Sequence, residues 1–83
     1  MAISFNELIA VGVVFDRGRV TPAWFQWAGR RYSGCRVTMR WQTREGSALV
    51  LHLAVTTDNA TCFELTFNQQ TLTWRLAAVD EGG

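Results

Sequence analysis

The sequence predicts an all-β protein: a six-stranded antiparallel meander curled into a small SH3-like or half-open barrel, with a short helical turn at its start. Three observations carry this. Cys35, Val37, Met39 and Trp41 are apolar while Arg36, Thr38, Arg40 and Gln42 between and after them are polar. That period-2 alternation marks a strand with one face buried and one solvated. The run from Ala48 to Val55 is apolar on both faces, broken only by His52, as expected of a central strand. Finally, apolar runs of strand length recur at short spacings, separated by residues that favour turns.

Taken in order, Ser4-Phe5-Asn6-Glu7 has the form of a capping box and predicts one helical turn through Leu8 and Ile9. The β-branched Val11, Val13 and Val14 then favour a strand ending near Phe15. Asp16-Arg17-Gly18 is a turn, and a second strand runs from Arg19 to Trp27. Pro22 has no N–H for a ladder, so this strand lies at an edge there or bulges. A two-residue loop at Ala28-Gly29 sets Phe25 opposite Tyr32 and Trp27 opposite Arg30. The apolar parity switches between Tyr32 and Cys35, so a bulge and a sharp bend are expected at Ser33-Gly34.

Matching apolar faces gives the remaining registers. A three-residue loop Arg44-Glu45-Gly46 pairs Trp41 with Leu49, Met39 with Leu51 and Val37 with Leu53, whereas a two-residue loop at Glu45-Gly46 would mix the faces. Thr57-Asp58-Asn59, with Asn59 left-handed, pairs Leu53 with Phe63 and Leu51 with Leu65. A four-residue loop from Asn68 to Thr71 pairs Phe67 with Leu72, Leu65 with Trp74 and Phe63 with Leu76. No repeat or second domain is visible: residues 1–83 form a single domain, with 79–83 a loose C-terminal tail.

A chain of 83 residues buries only about 60% of its unfolded surface. Ten aromatic side chains supply large buried areas for so small a core. The net charge of +1 does not enforce binding to nucleic acid or membrane, but its distribution is uneven. Seven arginines and no acid lie between Arg17 and Arg44, while five acids and only Arg75 occur from Glu45 onward. The two cysteines have no metal or redox spacing, and one histidine with scattered acids makes no metal site, so no metal or cofactor is expected. With no basic leader before an apolar run and no spanning-length apolar stretch, no membrane association is expected and the predicted compartment is the cytoplasm.

Two sets of residues are candidates for function. Arg30, Arg31, Arg36, Arg40 and Arg44 lie along one bent strand with Trp24 and Tyr32 nearby. Arginines interleaved with aromatic rings on a small barrel can hold single-stranded nucleic acid, and the same arginines suit an acidic protein surface. An ordinary solvated face is the plain alternative. The expected registers also align Thr38, His52, Glu64 and Arg75 in one row on the outer face. A histidine beside a carboxylate could transfer protons, and a cross-strand charge ladder is the simpler account. No nucleophile paired with a base is discernible, so no catalytic residue is assigned.

Phe25-Gln26-Trp27-Ala28-Gly29-Arg30-Arg31-Tyr32 resembles the Phe-x-Trp-x-Gly-Arg-x-Tyr hairpin of a bacterial domain family of unknown function. Trp41, Glu64-Leu65 and Thr73-Trp74-Arg75-Leu76 fall where that family has a Trp, an acid before an apolar position and a closing Trp-x-Leu. A similar segment ends non-catalytic proteins of the bacterial mutagenesis machinery that look like Y-family polymerases. The resemblance implies an accessory interaction module and carries no catalytic motif. The chain lacks the aromatic pair that often comes after the family's mid-chain Trp.

The function expected is thus a non-catalytic β interaction module with an Arg-rich face for an anionic partner. The rivals are a small ligand-binding protein or enzyme using His52, Glu64 and Arg75, and an assembly protein that works as a homodimer.

Overall fold

A computed structural model of the chain describes residues 2–57 and 61–80. Eight strands are present: β1 (Ala2–Leu8), β2 (Ala10–Asp16), β3 (Arg19–Trp27), β4 (Arg30–Ser33), β5 (Arg36–Glu45), β6 (Ala48–Thr56), β7 (Cys62–Asn68) and β8 (Thr73–Asp80). They form two antiparallel sheets, one of five strands in the order β1-β8-β7-β6-β5 and one of three in the order β2-β3-β4. The all-β expectation holds, and β6 is interior to its sheet. The sheets do not close into a barrel, and among the described residues there are eight strands rather than the expected six. The bent arginine-bearing strand is broken at Gly34, where φ is +66°, so its first part (β4) pairs in the small sheet and its second (β5) in the large one. The chain changes sheets a second time at Ile9, whose N–H donates to the carbonyl of Trp74 at 3.1 Å.

Residues Ser4 to Glu7 are not a helical turn. Ile3 and Phe5 alternate with Ser4 and Asn6, and β1 satisfies the edge of β8, pairing Ile3 with Val79 and Leu8 with Arg75. A backbone ladder to β8 serves more polar groups than one capped turn could. Val79 and Asp80, expected in the tail, are the last residues of β8, and Val79 is buried. Residues 81–83 and Asn59 lie outside the described residues.

The buried cluster sits between the sheets. Leu53, Val55, Phe63, Leu65, Trp74, Leu76 and Val79 come from β6, β7 and β8, and Phe25 comes from β3. Phe5, Val11, Val20, Trp27, Tyr32 and Val37 pack around it. The hairpin register Phe25–Tyr32 and Trp27–Arg30 is as expected. Ala28 and Gly29 both take positive φ, 53° and 76°, which is the type I′ turn that matches strand twist. Pro22 sits at a bulge, since β2 and β3 slip register between Gly12 and Val13.

Elsewhere the registers differ from those the apolar pattern suggests. The β5–β6 loop is the two-residue Gly46-Ser47, with Gly46 at φ +61°, and Glu45 pairs with Ala48. A glycine with positive φ at the first position of a two-residue loop suits a type II′ turn. A bulge at Thr38 then reverses the faces, so Trp41 lies opposite His52 and Arg40 opposite Leu53. Met39 is 61% exposed, while Arg40 turns inward. The β6–β7 pairing is displaced by two residues, and the β7–β8 pairing by two from Leu65 onward and by three before it, giving Leu53 opposite Leu65, Val55 opposite Phe63, Phe67 opposite Trp74 and Phe63 opposite Val79. Leu72, expected in a strand, lies in the turn at φ +58° and is 71% exposed. No helix occurs among the described residues, so none is long and apolar enough to cross a membrane.

Candidate functional site

Two concave regions bear chemistry, and neither coincides with the Arg-rich face expected from the sequence. The five arginines and Trp24 of that face are dispersed. Arg31 lies 4.1 Å over the Trp24 ring, and Trp24 in turn covers Gly12, where any Cβ would collide with the indole. Arg30 lies 5.5 Å from the Tyr32 ring centre on the same short hairpin. Arg36 and Arg44 sit at opposite ends of β5, paired in register with Thr56 and Leu49. Arg40 leaves the face altogether. The break at Gly34 and the bulge at Thr38 redirect these side chains, because each inserted residue turns the rest of the strand over to the opposite surface.

The outer face of the large sheet carries a polar basin of 480 Å³, lined among others by Asn6, His52, Glu64, Thr66, Thr73 and Arg75. Across the sheet run Trp41, His52, Thr66 and Arg75, each opposite the next, and of these His52, Thr66 and Arg75 line the basin. This corrects the expected row: Thr66, not Glu64, faces His52, and Thr38 lies outside it, donating instead to the Ala54 carbonyl at 3.3 Å. Glu64 nevertheless reaches His52 diagonally, with Oε2 3.3 Å from Nδ1. On the other side of the ring, Thr43 Oγ1 is 2.7 Å from Nε2. An ionised carboxylate only accepts, so in the neutral imidazole Nδ1–H donates to Glu64 and Nε2 accepts from the Thr43 hydroxyl. The Trp41 ring stacks on the imidazole at 5.1 Å and 11°. Arg75 is tied to the carbonyl of Asn6 at 3.2 Å. Thr43 is not among the residues the sequence singles out, since its place on the His52 face depends on the Thr38 bulge.

The second region is the seam where the two sheets part. Arg40 spans it from β5, its Nη1 donating to the Val20 carbonyl at 2.8 Å and its Nη2 to Thr21 Oγ1 at 3.0 Å, both on β3. Beside this bridge runs a groove of 570 Å³, with Leu51 and Phe67 among its lining and Phe15 and Leu72 exposed at 72% and 71%. Arg19 and Arg40 line it too, and among the described residues no acidic side chain does. A polar recess next to it adds Arg17 and Asp16. Phe15, Arg17, Arg19 and Leu72 were not legible as site residues. They lie on or beside turns far apart in sequence, and only the fold brings them together. Among the described residues no group of three or more His, Cys, Asp or Glu side chains is placed to hold a metal.

Fold and sites together define a small β protein of two apposed antiparallel sheets, with a cationic apolar groove at the open seam and a polar basin on one face. Compared with known protein families, curated proteins and solved structures, the chain matches none.

Proposed function

We propose that this protein is a non-catalytic interaction module that takes an anionic partner at the seam between its sheets. The observation that supports this best is the composition of the seam groove: Arg19 and Arg40 beside exposed Phe15 and Leu72, with no carboxylate lining it among the described residues. Arginine forks suit carboxylates and phosphates alike. Of the two anions, an acidic protein surface fits better than single-stranded nucleic acid. A nucleic acid needs free ring faces beside a continuous cationic track. Here Trp24 is covered by Arg31, Trp41 stacks on His52, Trp74 is buried, and Trp27 donates to Glu7 at 3.1 Å, which leaves Phe15, 72% exposed, as a single ring beside Arg19 rather than a series of stacking faces. The resemblance to accessory segments of the mutagenesis machinery points the same way, toward a module that docks on another protein.

The test is binding of acidic peptides and of oligothymidylate, followed by fluorescence anisotropy, for wild type and for Arg17→Ala with Arg19→Ala. Both arginines are exposed and away from the core, so the fold tolerates their loss. Peptide binding that falls at least tenfold in the double variant and weakens with salt supports the reading. Unchanged affinity would remove the groove from it.

A second reading has its own observation. The Thr43–His52–Glu64 chain, with Arg75 in the adjoining basin, is an arrangement able to polarise a hydroxyl or hold a small polar ligand. If that basin binds a small molecule, His52→Gln should abolish the ligand-induced chemical-shift changes around Thr66 and Arg75 in a small-molecule screen. A screen that moves no resonance in the basin would eliminate it.

A further inference from the structure

The seam has open backbone edges as well as a chemical character. β3 spans nine residues, but β4 pairs only with Trp24 to Trp27. Residues 19–23 of β3 therefore have β2 on one side and no strand on the other among the described residues. Among the described residues β5 is the longest strand, at ten residues, and pairs only with β6. Two strand edges thus face one another across the groove, each with backbone N–H and C=O groups that a sheet would ordinarily use. The Arg40 guanidinium occupies part of this gap, taking the Val20 carbonyl that a strand's N–H would take.

The two edges are not equally protected. Natural edges are blunted by proline, bulges and charge. The β3 edge carries Pro22 and the bulge beside it. On β5 the bulge comes early, at Thr38, and the stretch from Met39 to Glu45 runs in regular register without proline. That stretch has room for about six residues of an added strand at roughly 3.3 Å per residue. Arg40 and Arg44 discourage a basic or neutral strand there and favour one that carries carboxylates.

We propose that the seam accepts one extended acidic segment of a partner protein, added as a strand to the free edge of β5. The segment's backbone hydrogen-bonds to β5 between Met39 and Glu45. Its carboxylates meet Arg19 and Arg40, and an apolar side chain enters between Phe15 and Leu72. Binding by strand addition draws affinity from main-chain hydrogen bonds and selectivity from pockets for alternate side chains. Arg40 acts as a latch in this scheme, exchanging the Val20 carbonyl for a carboxylate of the incoming chain. The proposal rests on the anionic-partner reading of the same groove, and names both the partner's chemistry and its mode of attachment.

The experiment uses a panel of nine-residue peptides in which glutamate alternates with valine, leucine or phenylalanine. Each is made in three forms: unmodified, and N-methylated at alternate amides on one edge or on the other. N-methylation removes the donors of one edge while leaving every charge in place. Strand addition predicts that the unmodified form binds, that one methylated isomer loses at least tenfold, and that the other stays within about threefold. It also predicts slowed amide exchange on β5 in the bound state. Equal affinity of all three forms overturns strand addition and leaves the anionic-partner reading standing. No binding by the peptides or by oligothymidylate overturns both, whereas binding of oligothymidylate that excludes the peptides overturns strand addition and leaves an anionic partner at the groove. A mass near twice 9.4 kDa that peptide does not dissociate would give the edge to a second copy of this chain and overturn the proposal.

Discussion

Phe25→Ala is expected to cost about 3–5 kcal/mol, enough to remove most of the stability of a domain this small, where totals run about 5–15 kcal/mol. Phe25 is fully buried and is the only residue of β2, β3 and β4 in the buried cluster among the described residues. It stacks on Tyr32 at 5.1 Å and 16°, and meets Phe63 of the large sheet edge-on at 4.9 Å and 72°. Removing the ring deletes one side of both contacts, and the partly buried Trp27 and Tyr32, which also meet Phe63, can fill only part of the space. A sheet of only three strands is at the lower limit of independent stability and needs its apolar face covered, so loss of docking strongly destabilises the fold. The melting temperature should fall on the order of 20 °C. Phe25→Leu, which keeps an apolar occupant, should cost less than half as much. The measurement is guanidinium unfolding of the three proteins. A Phe25→Ala midpoint corresponding to less than about 1 kcal/mol of destabilisation would mean that the small sheet is not held by this contact.

That cluster is largely legible in the sequence even though most strand partners are not, and the reason is physical. Side chains in a strand alternate with period 2, so a register displaced by two residues leaves every side chain on its original face. Leu53 is expected opposite Phe63 and lies opposite Leu65, yet it points into the core either way. The displacement comes from the loop lengths: Thr56 pairs with Cys62, leaving five residues in the connection, where Thr57-Asp58-Asn59 suggests a three-residue turn. Apolar alternation constrains faces strongly and partners weakly.

Bulges are the opposite case, since one inserted residue reverses every face beyond it. The alternation of Cys35, Val37, Met39 and Trp41 is regular in the sequence but crosses a bulge at Thr38. Val37 packs on the core, and beyond the bulge Arg40 and Gln42 line the seam beside Trp41 while Met39 is exposed. The same happens in β8, where Leu76 and Val79 are both buried across a shift beside Ala77. Gly34 announces its bend through its backbone freedom, but Thr38 and Ala77 carry no such mark. The Arg-rich face depends on the unbulged reading, and so it dissolves. The His52–Glu64 pair survives because β6 and β7 are regular between those positions.

Arg40 departs furthest from its expected role, and its replacement carries the second large effect. Arg40→Ala is expected to destabilise the fold by about 1.5–3 kcal/mol, the range for losing hydrogen bonds made by a charged group. Its two bonds, to the Val20 carbonyl and Thr21 Oγ1, are cross-seam side-chain links that join β5 to β3 where no ladder does. The groove beside them is open, so water can reach the abandoned carbonyl, and this holds the cost near the lower end of the range. Lysine cannot reproduce the fork that contacts two acceptors at once, so Arg40→Lys should recover less than half of the loss. Salt discriminates this bridge from a surface ion pair. Both acceptors are uncharged, so the difference between wild type and Arg40→Ala should stay nearly constant from low to high ionic strength. Amide exchange should quicken first at residues 19–21 of β3, ahead of the β6–β7 ladder, because that edge loses the guanidinium that ties it to β5. If urea unfolding instead gives Arg40→Ala the stability of wild type, the seam is not held by the guanidinium, and the groove walls are positioned by the core alone.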